Sequence, residues 1–287
     1  MRTLALIRSG IATTIQDTGR SGYQQIGIPP SGAMDKFAML MGQRHLGHRN
    51  NEAALEFAYG DLAFKTSHPC RFVVTGAPAI ITIGDAAHHS GSLEHTEANQ
   101  MVNIHTSGHG VYNYLHIAGG IAISTCLGSR STSPRERIGG LEGRYLRDGD
   151  ILPLGPESKD YKPLDSIIPS TRHRDTLSLR FIPGFQFDQF SETTRQNLIS
   201  QVFSVTPRAN RMGIALSGDP IDTGIQALLS EATCYGAIQI PPDGDPIVLL
   251  NDRQTVGGYP KAGAVISGDC HRLVQSRPGQ RVRFVAI

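Results

Sequence analysis

The sequence predicts a mainly β protein, and three features support that fold class. Its 287 residues include 32 glycines and 17 prolines, which favours tight turns over long helices. Its apolar residues fall in many short runs, several of which alternate with polar residues as half-buried strands do. Turn sequences such as Pro242-Asp-Gly-Asp245 separate these runs at regular spacing, a pattern typical of a barrel or a sandwich.

The individual strands are predicted from these apolar runs. Each run is four to seven residues long and ends near a glycine, a proline or an acidic turn. The clearest runs are Arg71–Thr75, Ala79–Ile83, Val111–Ile117, Leu179–Ile182, Ala237–Ile240, Ile247–Leu250 and Arg281–Ile287.

Two short helices interrupt the strands. The first is predicted from Ala33 to about His45, with Ser31 as its N-cap. Its apolar stripe repeats at helical spacing and consists of Met34, Phe37, Ala38 and Met41. The second is predicted from about Ser191 to Phe203, again with a serine as the cap.

A change in composition predicts the domain organisation. Three prolines and several charged residues lie between residues 156 and 174 with little apolar periodicity, as in a linker. We therefore predict an N-terminal β-rich subdomain over 1–160, a linker over 161–175 and a C-terminal β-barrel subdomain over 176–287.

Charge and cysteine usage exclude several classes of protein. The net charge is +2 and the basic residues are scattered, so nucleic-acid binding is not expected. No apolar stretch approaches the ~20 residues that a membrane span needs. The N-terminal apolar run is too short for a signal peptide, and the four cysteines form no CxxC pair. We expect a cytoplasmic protein that does not act at a membrane.

The first two candidate sites are polar loops in the N-terminal half. Gln16, Asp17 and Arg20 lie between glycines ahead of a predicted helix, where free N–H groups favour an anion. Ser129, Arg130 and Ser131 offer hydroxyls and a guanidinium, which suit a carboxylate or phosphoryl group. Each loop also fits a purely structural interpretation. In the first loop Asp17 would pair with Arg20, and the second loop would be a polar turn with Arg130 in solvent.

The strongest candidate site follows the strand Ile247–Leu250. Asp252 can act as a base or accept from an amide, Arg253 can hold a carboxylate, and Gln254 can both donate and accept. We take these three as candidate catalytic residues. The alternative is an ordinary turn rich in Asp, Gly and Pro.

Two further residues complete the candidate set. Arg211 belongs to a short segment with two arginines before a glycine, compatible with anion binding or with a solvated loop. Tyr259 ends the polar loop that begins at Asn251. We include both among the substrate-binding candidates, beside the polar loops of the N-terminal half.

Metal and nucleotide motifs are absent from the sequence. The eleven histidines form no HExxH or HxH pattern, so no metal is expected. There is no P-loop, no GxGxxG opening a helix, no GxSxG and no biotinylation lysine motif, and no covalently bound cofactor is expected.

Several segments, collinear over nearly the whole chain, resemble a known family. They are Ile11–Tyr23, Ile28–Asp35, Ala54–Phe57, Ile117–Ile121, Leu127–Thr132, Gly139–Arg144, Arg211–Gly213, Ile238–Gly244 and Asp252–Pro260. The sequence is similar to allophanate hydrolase subunit 2, the biotin-dependent carboxyltransferase-like family, which includes the C subunit of 5-oxoprolinase and the KipI antagonist. One departure is Arg208-Ala-Asn-Arg211, where the family more often has Ser-Asp-Arg.

This resemblance implies a fold and three alternative functions. The implied fold is two cyclophilin-like β-barrel subdomains. The first function is a component of an ATP-dependent 5-oxoprolinase, with a KipI-like protein and a LamB/YcsF-type protein as partners. The second is a carboxyltransferase component acting on urea or a related amide, which requires biotin on a partner chain. The third is a regulator that binds and antagonises a KipI-like kinase inhibitor.

Overall fold

The computed structural model describes residues 1–157, 175–225 and 228–287. The chain forms two compact units. The first comprises Met1–Ser21 and Ser31–Arg172, and the second comprises Gly22–Pro30 and His173–Ile287. The segment Gly22–Pro30 therefore groups with the second unit, although it lies within the predicted N-terminal subdomain. Apart from Asp175, the predicted linker 161–175 lies outside the described residues, so that boundary stays a prediction.

The first unit is built mostly from short strands. Its elements are β1 (Thr3–Arg8), β2 (Thr14–Gln16), α1 (Lys36–His45), β3 (Ala54–Ala58), β4 (Leu62–Thr66), β5 (Cys70–Gly76), β6 (Ala79–Ile83), β7 (Ala86–His89), β8 (Leu93–Thr96), β9 (Val102–Thr106), β10 (Tyr112–Ile117) and β11 (Ile151–Pro153).

These strands form two antiparallel sheets that share one core. The sheet orders are β11-β1-β4-β9-β6-β7 and β2-β3-β10-β5-β8. Inward side chains of both sheets belong to a single apolar cluster, in which Phe64 and Phe72 meet edge to face with ring centroids 5.4 Å apart. A fully buried phenylalanine contributes roughly 2–3 kcal/mol, so the pairing of the two inner faces holds this unit together.

Helix α1 covers the outer face of the second sheet. In β5, Val74 points into the shared core while Val73 joins a smaller cluster with Leu46 and Ala118 on the opposite face. Successive strand residues point to opposite faces. Every residue of β10 is therefore buried, because the core lies on one side and the helix on the other.

The predicted start of α1 was wrong by three residues. Asp35 is the N-cap, and its side chain accepts a hydrogen bond from the backbone N–H of Ala38 at 3.0 Å. Ser31 has a φ of 53°, in the left-handed region, so it lies in the turn before the helix. Phe37, assigned to the buried stripe, is 49% exposed. In the second helix, Glu192–Ser200, the predicted N-cap Ser191 is confirmed, because its side chain accepts a hydrogen bond from the backbone N–H of Thr194.

The second unit contains a closed β-barrel. Its elements are β12 (Thr176–Pro183), α2 (Glu192–Ser200), β13 (Phe203–Ala209), β14 (Gly213–Ser217), β15 (Glu231–Ala232), β16 (Ala237–Gln239), β17 (Ile247–Leu249), β18 (Val256–Gly257), β19 (Lys261–Val265), α3 (Ser267–Leu273) and β20 (Arg281–Ala286), with short 3-10 turns at Gln24–Ile26 and Phe187–Gln189.

The barrel order is β12-β19-β16-β17-β14-β13-β20, closed by the parallel pairing of β12 with β20. Its interior is aromatic: Phe284 meets Phe181 and Phe203 with ring centroids 5.9 and 5.5 Å apart. β15 and β18 form a separate two-stranded ribbon. The predicted mainly β fold is confirmed, with the closed barrel in this unit and two packed sheets in the first.

Candidate functional site

The polar loops of the first unit converge on the carboxylate of Asp17. One of its oxygens accepts from the hydroxyls of Ser129 and Ser131, both at 2.6 Å, and from the backbone N–H of Gly19 at 2.8 Å. The other accepts from the backbone N–H of Arg130 at 2.7 Å. Four donors thus converge on one buried carboxylate, which ties the loop after β2 to the loop at 129–131.

The other predicted residues of this cluster make similar contacts to the backbone. Gln16 donates to the carbonyl of Thr132 at 3.0 Å, Arg20 donates to the carbonyl of Ser131, and the Arg130 guanidinium donates to the carbonyl of Ile123 at 3.0 Å. The structure therefore brings all six residues together in one network. Ser129 and Ser131 are fully buried, so the loop at 129–131 is not the solvated turn that was the alternative. The substrate-binding role of the six residues stays a prediction.

In the second unit, the loop after β17 is anchored by an ion pair. The Asp252 carboxylate receives the Arg211 guanidinium at two points, Nε at 2.7 Å and Nη2 at 3.1 Å. Both side chains are nearly buried, and the backbone N–H of Asp252 donates to the Arg211 carbonyl at 2.9 Å. A carboxylate held at two points by a buried guanidinium is well placed to fix the loop.

Arg253 is a buried cation without a carboxylate. Its side chain is 5% exposed, Nη1 donates to the carbonyl of Leu250 at 3.2 Å, and Nε has no hydrogen-bond partner among the described residues. Within residues 1–157, 175–225 and 228–287, no acidic side chain forms an ion pair with it.

Burial accordingly lowers the pKa of the Arg253 guanidinium, and the thiol of Cys234 and the phenol of Tyr235 act in the opposite direction. A guanidinium remains charged at neutral pH. A desolvated cation without a counter-ion is costly, so this position is suited to an incoming anion.

Gln254 lies beside a second glutamine. Its amide nitrogen donates to the Oε1 atom of Gln239 at 3.0 Å, and its backbone carbonyl accepts from the hydroxyl of Thr233 at 2.5 Å. Gln239 is the last residue of β16 and is 2% exposed. Gln254 therefore links the loop after β17 to the last residue of β16.

Tyr259 lines a cavity. It is 45% exposed and, with the prolines of the β16–β17 turn, borders a space of about 680 Å³. The other wall comes from Pro220 to Ile225. This volume suits a small organic ligand.

Sequence reasoning missed Gln239, whose side chain accepts a hydrogen bond from Gln254. Gln239 lies within a segment that carries the family resemblance and interrupts an otherwise apolar run, Ala237–Ile240. A polar residue in a strand buried on both faces is a usable signal. The pairing with Gln254 depends on how the strands are arranged and is not visible in the sequence.

No metal centre is found in the part of the chain that the structure describes. There, no three His, Cys, Asp or Glu side chains are arranged to hold a metal ion. In the same ranges, the helices are too short or too polar to cross a bilayer.

The fold and the loop define a two-unit β protein in which the loop after β17 carries a buried guanidinium and, at the next residue, a carboxamide bonded to Gln239. Comparison with known proteins then gives the family. Residues 26–286 match the family model "Carboxyltransferase domain, subdomain A and B", and the chain belongs to this family. The family resemblance seen in the motifs is thereby confirmed.

Two curated relatives and one solved structure are close. The chain is 35% identical to the C subunit of 5-oxoprolinase from Escherichia coli, over 98% of this chain and 90% of that protein. It is 33% identical to the corresponding 5-oxoprolinase component of Haemophilus influenzae, over 96% of this chain and 88% of that one. The urea amidolyase of K. lactis superposes with a TM-score of 0.93 at 24% identity, over 99% of this chain and 19% of the enzyme, which shows a shared fold.

Proposed function

We propose that this chain is the C subunit of an ATP-dependent 5-oxoprolinase, which opens 5-oxoproline to glutamate in the cytoplasm. It acts with a KipI-like protein and a LamB/YcsF-type protein, and is inactive alone. The naming of its E. coli and H. influenzae relatives supports this assignment. In this proposal the complex binds ATP, and this chain does not bind it by a P-loop.

The observation that carries the proposal is the buried, carboxylate-free guanidinium of Arg253 next to the carboxamide of Gln254. 5-Oxoproline has one carboxylate and one lactam. Arg253 pairs with the carboxylate, and a hydrogen bond to a charged group contributes about 1.5–3 kcal/mol. Gln254 contacts the lactam, whose N–H and C=O match a group that both donates and accepts.

The ion pair between Arg211 and Asp252 has a supporting role in this proposal. It fixes the backbone of the residue before Arg253, so the guanidinium approaches the substrate from a rigid loop. Preorganised charge acts more strongly on a substrate than charge that must reorient. In this proposal Asp252 positions the loop through its ion pair with Arg211.

The test is reconstitution with the two partner proteins, followed by glutamate formation from 5-oxoproline and ATP. The complex should form glutamate, the chain alone should not, and Arg253→Ala should abolish turnover while the chain still folds. Arg283→Ala is the matched control, because Arg283 is an exposed arginine of β20. Full activity of the Arg253→Ala complex would refute the assigned role, and absence of glutamate from the wild-type complex would refute the function.

A second candidate function is carboxyl transfer to urea or a related amide. The name of the matching family and the shared fold with a urea amidolyase favour it. It requires a partner chain that carries biotin. This alternative would be selected if the chain, together with a biotinylated partner, carboxylated urea and formed no glutamate from 5-oxoproline.

A further inference from the structure

We infer that the cavity bordered by Tyr259 is the docking site for a basic, apolar segment of a partner subunit. The inference rests on the proposed function, because that function places this chain in a complex with other proteins. It assigns the cavity to side chains of a partner, and not to 5-oxoproline or ATP, which are both anions.

The cavity is a space of about 680 Å³ with mostly apolar walls. Its lining includes four prolines, three isoleucines and a leucine. Ile221 and Ile240 are buried, at 3% and 2% exposure, and form the floor, whereas Tyr259 is 45% exposed and lies at the mouth. A largely apolar space of this size is typical of a binding site.

Hydrogen bonds hold the walls in place. The backbone N–H of Ile221 donates to the carbonyl of Gly244 at 3.1 Å, which joins the segment 220–225 to the β16–β17 turn. Gly244 has a φ of 80°, and a Cβ there would lie 2.7 Å from the Ile221 nitrogen, so the contact requires glycine. The hydroxyl of Thr194 in α2 donates to the carbonyl of Asp222 at 2.7 Å. A site held in this way loses little conformational entropy when a partner binds.

Charge determines what the cavity accepts. Among the described lining residues, only Asp222 and Asp243 carry charged side chains. Asp222 accepts the N–H of Gly224 at 2.9 Å and forms no ion pair with a described residue. Asp243 lies 3.6 Å from the guanidinium of Arg208, whose closer partner is Asp245 at 2.6 Å. Exposed pairs of this kind are weak, so the two carboxylates attract a cation and repel an anion.

The apolar surface continues out of the cavity, which favours a polypeptide over a small cation. Leu228 lines the cavity, and the next residue, Leu229, is 93% exposed. The segment of Tyr259 lies beside them, because a Cβ on Gly258 would be 3.3 Å from the carbonyl oxygen of Leu228. A small cation in the cavity leaves Leu229 in water, whereas a chain segment covers both. The Tyr259 ring offers a face on which a lysine or arginine of that segment packs.

The test measures the affinity of this chain for each partner protein of the proposed complex by calorimetry. Asp222→Asn combined with Asp243→Asn removes both charges and keeps the oxygens that accept from Gly224 and Asp245. For the partner that docks in the cavity, Kd should rise roughly 10-fold in this double variant. Added salt should weaken the binding of the double variant less than that of the wild type.

The matched control for charge is Asp188→Asn combined with Glu97→Gln. It changes the net charge equally at two exposed acids that do not line the cavity, and it should bind like the wild type. Leu229→Ser tests the apolar contact outside the cavity and should raise Kd for the same partner by roughly 5- to 10-fold. Ile11→Ser, at an isoleucine that is 78% exposed, is its control.

Turnover separates docking from catalysis. In the Asp222→Asn/Asp243→Asn chain, glutamate formation should be slow when the partner is limiting and should reach the wild-type kcat when the partner is in excess. A kcat that stays low at saturating partner would overturn the docking role.

The remaining outcomes distinguish the inference from the proposed function. Wild-type affinity for both partner proteins in the Asp222→Asn/Asp243→Asn chain or in Leu229→Ser would overturn the inference and leave the proposed function intact. Spermidine binding that the double variant loses, with partner affinity unchanged, would assign the cavity to a small cation and also overturn it. The expected losses of affinity, in a wild-type complex that forms no glutamate, would support the docking site and overturn the proposed function.

Discussion

His116 makes the stability of the first unit depend on pH. It lies in β10, fully buried against α1, with its ring so close to Gly42 that a Cβ there would lie 2.2 Å from the ring. Its Nε2 lies 3.1 Å from the hydroxyl of Thr75, which itself donates to the carbonyl of Ala38. Nε2 must therefore carry the proton, and Nδ1 has no partner among the described residues.

This environment stabilises the neutral ring. Burial first, and then the nearby His48 and His45, lower the pKa of His116 from 6.5 to about 3. Because the folded-state pKa is depressed, the unfolded chain takes up a proton below pH 6.5 that the folded chain does not. The contribution of the neutral His116 ring to stability is fully present above that pH and is lost as the pH falls. Proton linkage gives a loss of about 2 kcal/mol between pH 7 and pH 5 from this one residue.

The prediction is tested with His116→Gln, which keeps an N–H for Thr75 and cannot titrate. Free energies of unfolding are measured in urea by circular dichroism at pH 7 and pH 5, for wild type and variant. Between pH 7 and pH 5, the free energy of unfolding should fall by about 2 kcal/mol more in the wild type than in the variant. His109→Gln, at an exposed histidine, is the control and should follow the wild type. Equal losses in wild type and His116→Gln would refute the reasoning.

Two further substitutions test the polar networks by urea unfolding. Arg211→Met should lower the free energy of unfolding of the second unit by about 3–5 kcal/mol, because it leaves the buried carboxylate of Asp252 without its cation. Adding Asp252→Asn to Arg211→Met should recover part of this loss, and strictly additive effects of the two substitutions would contradict the pairing. Asp17→Asn should lower the free energy of unfolding by about 3 kcal/mol, because an amide cannot accept from Ser129, Ser131 and two backbone N–H groups together. A urea midpoint of Asp17→Asn equal to that of the wild type would show that the network is dispensable.

Local structure was predictable where a short pattern determines it. The strand Ala79–Ile83 was predicted with its observed limits, and Ser191 caps α2 as expected. The start of α1 was not predicted correctly, because Ser31 and Asp35 are both good N-cap residues in isolation. Only the left-handed turn at Ser31 assigns the role to Asp35.

The candidate site was predictable as a list of groups but not as an arrangement. Composition and motif position identified Arg253 and Gln254. The partners of this loop come from far along the chain: Arg211 is 41 residues from Asp252, and Gln239 is 15 residues from Gln254. Such pairs depend on strand order and register, which alternation within one strand does not encode.

The central claim is that the Arg253 guanidinium recognises the carboxylate of a small cyclic amide. The most direct measurement compares kcat/KM for 5-oxoproline with that for 2-pyrrolidone, which has the lactam but no carboxylate, in wild-type and Arg253→Gln complexes. The wild type should prefer 5-oxoproline by roughly 10- to 200-fold, and the variant should lose that preference. An undiminished preference in Arg253→Gln would contradict the account.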